Sequence, residues 1–390
     1  MAKKYLTKII ANDQEGLQMI SACVAGAKAK ISNMKYLKSN KIFLISLLLI
    51  GCSKSDDDSN VVDNTPSINS IQVSVSSAEV TVGTTILFTV FDNTGKNRTS
   101  EAKFYVDGTE ISGSSYTFND VGTYEVYAKY QNLKSQTENV VVNPTPIEYK
   151  QYVLVEDYTG TWCGYCTRVS YAIEQLKKET NDAVVVAIHQ GSYDPLAFGQ
   201  VSTLMSTFGV TGFPTAFIDR KSRWTPPEPS NITEVTGKLT GKSYAALAID
   251  SSLDGDMLTI KVKLKMGYNY SALKLGLYIL EDGITQDGWR GRAYREEKQR
   301  NWTSYYQGDP IDNFVHHDVL RKSITGLLGD QIPSDKLGHD KVFEKEFQYV
   351  IPSEFKTENV KMVAFVTEAS KKETINVRVS KIGESQDFEK

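Results

Sequence analysis

Two cysteines, Cys163 and Cys166, are the residues of this chain best suited to chemistry. They follow the apolar run Tyr152–Val155 and precede a helical pattern. Such a pair can be half of a zinc site, a structural disulfide or a redox pair. A structural zinc site needs four ligands, and His189 is the only histidine nearby. A pair between a strand and a helix therefore favours a redox dithiol, and neither a metal nor a cofactor is expected.

The helix expected after the pair indicates which sulfur reacts. Unpaired backbone N–H groups and the helix dipole favour negative charge at a helix N-terminus. Cys163, as the first helical residue or its cap, is expected to be the attacking thiolate, because the thiolate is the nucleophile. Cys166 lies one turn further on and is expected to resolve the mixed disulfide. The buried face of this helix is predicted to consist of Val169, Ala172, Ile173 and Leu176.

A second element lies downstream of the cysteines. The segment Phe208–Thr215 resembles the cis-proline loop of thioredoxin-fold proteins, which packs against the dithiol and binds an extended substrate. Between the two elements, Ala183–Ile188 is typical of a buried strand, and a helical pattern ends at Gly209. This order resembles the thioredoxin fold, so a central α/β thioredoxin-like domain is predicted, with Trp162 and Pro214 as supporting residues. An ordinary turn proline is the alternative for Pro214.

Residues within and before the motif add two expectations. Gly164 and Tyr165 resemble the inner pair of periplasmic disulfide isomerases more than that of reducing thioredoxins. Thioredoxins also carry a buried carboxylate on the preceding strand, and Asp157 stands at the matching offset beside Glu156. The resemblance implies that Asp157 assists proton transfer to the buried cysteine. A solvated strand end is the alternative.

A different chemistry is predicted for Cys52. From Met34, a basic segment and the short apolar run Ile42–Ile50 precede Gly51 and Cys52, which is the order of a secretory signal. The run is far shorter than the roughly 20 residues that span a bilayer. It resembles a bacterial lipobox, in which the cysteine is diacylated and becomes the mature N-terminus. A buried cysteine in a core helix is the alternative, and the flanking lysines disfavour it.

The residues after Cys52 indicate where the protein is displayed. Ser53–Asp58 and the polar stretch to about Thr65 cannot bury a core, so a flexible tether is expected. An acidic run after a lipidated cysteine resembles the surface-export signal of Bacteroidota lipoproteins. We therefore expect a lipid anchor in the outer membrane and exposure on the cell surface, with the periplasmic face as the alternative. Residues 1–33 do not fit this order, which suggests either that translation starts at Met34 or that the preceding segment is foreign to the mature protein.

Two further regions alternate like β-strands. Ile68–Asn143 is divided by Gly, Asn and Asp clusters, and Asp120–Tyr124 resembles the tyrosine corner of immunoglobulin-like sandwiches. Alternation returns from Tyr244 and predicts a C-terminal β-sandwich-like domain. The predicted multidomain chain comprises an unexplained extension (1–33), a signal peptide (34–51), an acidic tether (52–66), an immunoglobulin-like β-sandwich (67–144), a thioredoxin-like domain (148–240) and a C-terminal β-rich domain (243–383).

A long polar and aromatic stretch, Asp282–Asp330, interrupts the C-terminal domain. Loops of this length in a compact domain are often functional. The adjacent His316 and His317 would point to opposite faces of a strand, which disfavours a shared metal. Local packing of polar residues is the favoured interpretation. The stretch also contains Trp289, Arg290, Arg292, Tyr305, Tyr306 and Arg321.

Several of these motifs together carry a resemblance to one family. They are the lipobox, Val153–Gly160 leading into the cysteines, the segment Gly212–Thr215, and Asn313–Arg321. Over about residues 149–383 the chain resembles the twenty-eight-kilodalton outer-membrane-protein lipoproteins of Bacteroidota. Thr167 stands where that family often has proline. The resemblance implies an architecture and an outer-membrane location more than a function.

Composition and motifs leave two functions open. The net charge of −3 gives no basic footprint for nucleic acid. The first function is thiol–disulfide exchange with protein thiols and disulfides, in which Cys163 attacks, Cys166 resolves and Pro214 shapes the substrate groove. The second is non-catalytic binding or adhesion by a surface lipoprotein that uses the thioredoxin fold as a scaffold. In both, the membrane partner is reached through the lipid on Cys52.

Replacing the lipidated cysteine tests the location. Cys52→Ser is expected to release the protein from the membrane fraction, because a serine cannot carry the thioether-linked lipid. Intact mass of the membrane-extracted wild type should correspond to a chain that starts at Cys52 plus lipid. A soluble wild-type product that retains residues 1–33 would contradict the lipoprotein interpretation.

Overall fold

The structure, a computed structural model, describes residues 67–285, 311 and 314–390. The predicted signal peptide, the acidic tether and Cys52 lie outside these residues, as do residues 1–33 and the aromatic and basic residues between 289 and 306. The described part is mostly β-structure arranged in several sheets.

The N-terminal region is a β-sandwich, as predicted. Its two sheets have the orders β1-β3-β6 and β2-β9-β7-β4-β5, with β8 paired to β7. Every second strand residue faces inward, and Phe88, Phe104 and Phe118 are among the buried side chains between the sheets. The strands are β1 (Ile71–Val75), β2 (Glu79–Thr81), β3 (Thr85–Asp92), β4 (Lys103–Val106), β5 (Thr109–Ile111), β6 (Ser115–Thr117), β7 (Gly122–Tyr130), β8 (Leu133–Lys134) and β9 (Glu138–Asn143).

Tyr124 fixes the turn at the start of β7. Its hydroxyl donates a hydrogen bond of 3.0 Å to the carbonyl oxygen of Asp120, which is the contact that defines a tyrosine corner. Val126, two residues further on, is fully buried. Both observations agree with the expectation drawn from the sequence.

The central region alternates strands and helices. Its elements are β10 (Tyr149–Lys150), β11 (Val153–Thr159), α1 (Thr167–Glu179), β12 (Ala183–His189), α2 (Val201–Phe208), β13 (Thr215–Ile218), β14 (Ser222–Arg223) and α3 (Thr233–Thr236), with a 3-10 turn at Glu228–Ser230. The four apolar residues predicted for the inner face of α1 are buried. Helix α2 ends at Gly209, whose φ of 65° is left-handed and therefore suits glycine.

Helix α3 is short. Its α-helical part spans only Thr233–Thr236. Beyond it, the amides of Lys238 and Leu239 bond to carbonyls three residues back. This tighter turn replaces the α-helical pattern.

The C-terminal region consists almost entirely of strands. A three-stranded sheet, β16-β17-β23, packs against the long strands β18 and β24 through a shared apolar core. The strands are β15 (Lys242–Ser243), β16 (Ala245–Asp254), β17 (Met257–Met266), β18 (Leu273–Glu281), β19 (Ile284–Thr285), β20 (Val315–His316), β21 (Val319–Ser323), β22 (Asp330–Gln331), β23 (Val342–Val350), β24 (Val360–Glu368) and β25 (Thr374–Lys381), with 3-10 turns at Ser334–Lys336 and Thr357–Asn359.

One sheet runs through both the central and the C-terminal regions. Its order is β14-β13-β11-β12-β21-β18-β24-β25, with β22 paired to β18. The junction is the parallel contact of β12 and β21 at Ala187 and Val319. The sequence led us to expect a separate C-terminal sandwich, but one of its two sheets continues the central sheet. The physical reason is that, without this continuation, the edge of β12 would leave backbone N–H and C=O groups unpaired beside apolar side chains.

Alternation along β11 sends neighbouring carboxylates to opposite faces of this sheet. Val153 and Val155 pack with α1 on one face, whereas Leu154 and Tyr158 pack with α2 on the other. A strand has a period of two residues. Asp157 therefore lies on the face covered by α1, and Glu156 lies on the face of α2.

Glu156 forms a buried ion pair with Arg220. The Nη2 atom of Arg220 lies 2.6 Å from Oε1 of Glu156, and both side chains are at most 1% exposed. The same nitrogen donates a 2.8 Å hydrogen bond to the hydroxyl of Tyr278 on β18. The guanidinium also lies 4.4 Å from the ring centroid of Phe365 on β24. This cluster ties the central strands to the C-terminal strands.

Breaking this pair should be costly. Glu156→Gln leaves the Arg220 guanidinium buried without its counter-charge, and we expect a loss of about 3–5 kcal/mol in the free energy of unfolding. Urea denaturation followed by circular dichroism measures the loss. Glu373→Gln removes the partner of Lys221 in a pair that is largely exposed, and should cost at most about 1 kcal/mol. Equal losses in the two variants would contradict a special role for the buried pair.

Candidate functional site

Cys163 and Cys166 are joined by a disulfide bond at the end of the chain segment that links β11 to α1. The helix begins at Thr167, and Cys166 is its cap residue. The expectation that Cys163 would be the cap or the first helical residue is therefore wrong. Cys163 lies in the preceding turn, where its amide bonds to the carbonyl of Gly160. The pair still stands at the N-terminal end of a helix.

Two glycines make room for the indole of Trp162. Its Nε1 donates a 2.6 Å hydrogen bond to the carbonyl of Gln190. A Cβ atom added at Gly160 or at Gly191 would approach this nitrogen to 2.5 Å, which is closer than packed atoms come. Any side chain at either position would therefore displace Trp162 from the turn that carries Cys163.

The carboxylate of Asp194 is hydrogen-bonded to the same turn. Its carboxylate accepts hydrogen bonds from the amides of Thr161 at 2.7 Å and Leu196 at 2.9 Å, and lies 2.9 Å from Nδ1 of His189. Burial alone would raise the pKa of Asp194, but the interaction with His189 and the amide hydrogen bonds hold it below its ordinary value. The sequence analysis noted His189 but missed Asp194, which follows it by only five residues and had no distinguishing motif.

The loop of Pro214 lies beside the disulfide. Phe213 packs against the apolar cluster that contains the two cysteines, and its ring meets that of Trp162 edge to face at a centroid distance of 5.4 Å. The peptide bond between Phe213 and Pro214 is cis. The structure therefore brings Pro214 beside Trp162, Cys163 and Cys166, although Pro214 follows them by about 50 residues in the sequence.

Asp157 is buried on the face of the sheet that α1 covers. It is 2% exposed, and its Oδ1 has no hydrogen-bond partner among the residues that the structure describes. Burial, and secondarily the negative charge of Glu228, raises the pKa of Asp157 well above its ordinary value, with Arg168 opposing the shift. The alternative of a solvated strand end does not hold. Burial therefore favours the protonated form of this carboxyl group.

The charges nearest to Asp157 come from an ion pair that the sequence analysis did not identify. Glu228 is 1% exposed, and Nη2 of Arg168 lies 3.1 Å from its Oε1. Arg168 belongs to the first turn of α1, and Glu228 belongs to a 3-10 turn. Neither residue stands in a recognisable motif, because the pair joins segments 60 residues apart.

A cavity of about 370 Å³ opens beside Asp157, between α1 and the end of β12. Its apolar wall includes Ile173 and Val185, and its mouth carries the charged side chains of Lys177 and Asp318, which form an ion pair. The cavity is lined by Asp157, Ser170, Ile173, Glu174, Lys177, Lys178, Val185, Ala187, His189, Phe314, Val315, His316, His317 and Asp318. A protonated carboxyl group can therefore exchange its proton with solvent along this route.

The two adjacent histidines have different environments. His316 is buried, with its ring 5.3 Å from that of His189 and 4.8 Å from that of Phe314. Burial lowers the pKa of His316 to about 3, so it is neutral at physiological pH. His317 is exposed. The two side chains therefore point apart, as the sequence analysis expected. Arg321 pairs with Glu281.

Ile311 and Phe314 cover the disulfide from the C-terminal region. Ile311 is 5% exposed and packs with Cys163 and Cys166, and Phe314 packs against the same cluster. Cys163 is itself only 4% exposed. The sequence analysis did not identify these two residues, because they lie in a stretch without periodicity.

Comparison with known proteins supports one family. Residues 201–386 match the model of the outer membrane protein Omp28 family. The C-terminal half of this chain is therefore similar to the Omp28 outer membrane proteins. The Omp28 match begins at the first residue of α2 and therefore includes Pro214 and the long C-terminal strands, whereas Cys163 and Cys166 precede it. It confirms the predicted outer-membrane location.

Two solved structures show weaker similarity. HBP35 of Porphyromonas gingivalis is 18% identical with a TM-score of 0.47, over 60% of this chain and 76% of that one. A domain of the outer membrane lipoprotein Omp28 from Porphyromonas gingivalis is 19% identical with a TM-score of 0.23, over 36% of this chain and 89% of that one. Both TM-scores are too low to establish a shared fold. No curated protein matches the chain.

Within the described ranges, no helix is both long enough and apolar enough to cross a bilayer.

The raised pKa of Asp157 predicts that the stability of the protein depends on pH. An acid with a raised pKa in the folded state binds more protons there than in the unfolded state, so its contribution to stability falls as pH rises above the ordinary value of 3.8. Asp157→Asn cannot ionise and escapes this loss. We expect its melting temperature, relative to wild type, to rise steadily between about pH 4 and about pH 8.

Asp250→Asn is the matched control with the opposite sign. Burial alone would raise the pKa of Asp250, but hydrogen bonds from Ser385 and Lys263 lower it overall. Its charge therefore stabilises the folded state at neutral pH, and this variant should lose stability relative to wild type as pH rises. Parallel pH curves for wild type and Asp157→Asn would contradict a neutral Asp157.

Proposed function

We propose that this protein is a lipoprotein, anchored in the outer membrane through Cys52, that exchanges disulfides with protein substrates through Cys163 and Cys166. The observation that carries the proposal is the contact between the disulfide and the loop of Pro214. In a redox protein such a loop offers backbone groups to an extended polypeptide beside the reacting sulfur.

The order of elements around the site supports a thioredoxin-like unit. Strand β11 is parallel to β12 and antiparallel to β13, with α1 and α2 as the connections. Helix α1 packs on one face of these strands and α2 on the other. The dithiol then stands between the end of β11 and the start of α1, where a helix N-terminus favours a thiolate.

In the proposed reaction, the reduced protein acts first through Cys163. Its thiolate attacks one sulfur of a substrate disulfide, that S–S bond breaks, and one substrate cysteine leaves as a thiolate. The thiolate of Cys166 then attacks the sulfur of Cys163 in the mixed disulfide. The second substrate cysteine leaves, and the Cys163–Cys166 bond forms. The reverse sequence passes a disulfide to a substrate dithiol, so the protein gains the two electrons.

Asp157 is proposed to handle the proton of Cys166. The resolving cysteine is fully buried and must lose its proton before it attacks, because only the thiolate is nucleophilic. Asp157 lies on the sheet face under α1, and because its pKa is raised, its carboxylate is a stronger base for a proton than an ordinary aspartate. The adjoining cavity gives that proton a path to solvent.

The alternative is a surface lipoprotein that binds a partner without catalysis. The observation that favours it is the burial of the disulfide, since Cys163 is 4% exposed. In that case the Cys163–Cys166 bond only stabilises the fold, and the exposed faces of the β-sandwich are candidates for the binding surface.

Removing the resolving cysteine distinguishes the two functions. In Cys166→Ala the second step cannot occur, so the mixed disulfide between Cys163 and a substrate protein should accumulate in cells. We expect high-mass adducts on non-reducing gels that dithiothreitol removes.

Cys163→Ala/Cys166→Ala is the matched control. It should trap nothing while remaining folded, since an apolar core holds a unit of this size. A folded, reduced Cys166→Ala protein without adducts would reject the enzyme and leave the binding function.

A further inference from the structure

The disulfide is covered by a side chain of its own polypeptide. Ile311 packs directly on Cys163 and Cys166, and Phe213 and Phe314 complete this apolar contact. Ile311 is 5% exposed, and the proposed nucleophile Cys163 is 4% exposed. The disulfide is therefore shielded from solvent within an apolar cluster.

The surroundings of this contact are more open than its centre. Trp162 is 44% exposed and Tyr165 is 48% exposed, although each neighbours a buried cysteine in the sequence. Exposed aromatic side chains are favourable contact points for a polypeptide. A substrate can therefore touch this rim before it reaches the sulfur atoms.

Ile311 obstructs thiol–disulfide exchange where it lies. An attacking thiolate must reach a sulfur atom, so the rate depends on access. The thiolate would also lose its hydration in an apolar contact, which is costly without a compensating partner. Exchange therefore requires that Ile311 leave its position.

We propose that Ile311 occupies the subsite for an apolar side chain of the substrate. Cys163, Cys166, Phe213 and Phe314 form this subsite. In the resting protein Ile311 fills it, and in the complex a large aliphatic or aromatic residue next to the substrate cysteine replaces it. This inference rests on the proposed disulfide exchange and names its substrate class.

The chemistry of the lining sets this preference. The four lining residues have uncharged, largely apolar side chains in one cluster with Ile311, so a charged substrate residue would be desolvated there without a counter-charge. An aliphatic or aromatic residue regains the apolar contact that Ile311 gives up. When one apolar side chain replaces another, the free energy of the exchange stays close to zero. A polar substrate residue would not restore the apolar contact that Ile311 gives up, so its binding would be unfavourable.

Access to the disulfide is tested with the oxidised full-length protein. A thiolate of dithiothreitol attacks a sulfur of the pair, the S–S bond breaks, and the second thiol of the reagent completes the reduction. Ile311→Ser removes the apolar side chain that covers the sulfur atoms, so the uncovered form becomes more populated. We expect reduction about tenfold faster than in wild type. Alkylation of the released thiols, followed by mass spectrometry, measures the rate.

Two control variants separate covering from general loosening. Val315→Ser changes an exposed valine of the same segment and should leave the rate unchanged. Ile311→Val keeps most of the cover and should accelerate reduction less than Ile311→Ser. If a folded Ile311→Ser protein is reduced at the wild-type rate, Ile311 does not control access and the inference is overturned.

The subsite itself is tested with two cysteine peptides that carry thionitrobenzoate on the sulfur, one with Ile beside the cysteine and one with Ser. The Cys163 thiolate of Cys166→Ala attacks the peptide sulfur and releases the coloured thionitrobenzoate anion. In Cys166→Ala/Ile311→Ser we expect the Ile peptide to react about tenfold faster than the Ser peptide. Equal rates would overturn the subsite.

The outcomes separate this inference from the proposed function. The presence or absence of cellular adducts of Cys166→Ala tests the proposed disulfide exchange. This result does not depend on which of the two peptides reacts faster. Adducts together with equal peptide rates reject the subsite alone. Faster reduction of Ile311→Ser without any adduct rejects disulfide exchange while leaving the cover in place.

Discussion

The buried pair of Glu156 and Arg220 is the contact on which the organisation of the central and C-terminal regions depends. Glu156 belongs to β11, the strand that leads into the cysteines, and Arg220 follows β13 with a left-handed φ of 56°. Through Tyr278 the guanidinium reaches the C-terminal strands. An unpaired charge at this depth would be prohibitive. The pair therefore requires the strands that enclose it to stay together, and it fixes the face of β11 on which Asp157 must lie.

Neighbouring carboxylates on β11 consequently have opposite electrostatic states. Glu156 has a guanidinium within hydrogen-bond distance and is half of an ion pair. Burial and the negative charge of Glu228 oppose the ionisation of Asp157, and the positive charge of Arg168 only partly offsets them. A period of two residues is sufficient to separate a structural charge from a neutral acid. The same separation places Arg220 and its partner Glu156 on the face of the sheet opposite to α1.

Much of the local structure could be predicted because it leaves a local pattern. Spacing identified the buried face of α1, alternation identified the strands of the sandwich, and Gly209 marked the end of α2. The pairing of Ala187 with Val319 could not be read in this way, because a parallel contact between distant segments depends on no periodicity. Ile311 was missed for a related reason, since a single apolar residue in a polar stretch is indistinguishable from a chance surface residue. The Omp28 match reaches the C-terminal strands but not the cysteines.

The continuous sheet also bears on whether the central region, with its disulfide, can be transplanted. A fragment limited to residues 148–240 would retain β11, β12 and β13 but would lose β21, the neighbour of β12. Val184, Val186 and Ile188 of β12 pack with residues of β18, β24 and β25 in the native protein. Excision would expose both this apolar face and an unpaired strand edge, which is the usual template for aggregation. The smallest portable module is therefore the central and C-terminal regions together, and shuffling of the cysteine motif between proteins must carry that whole block.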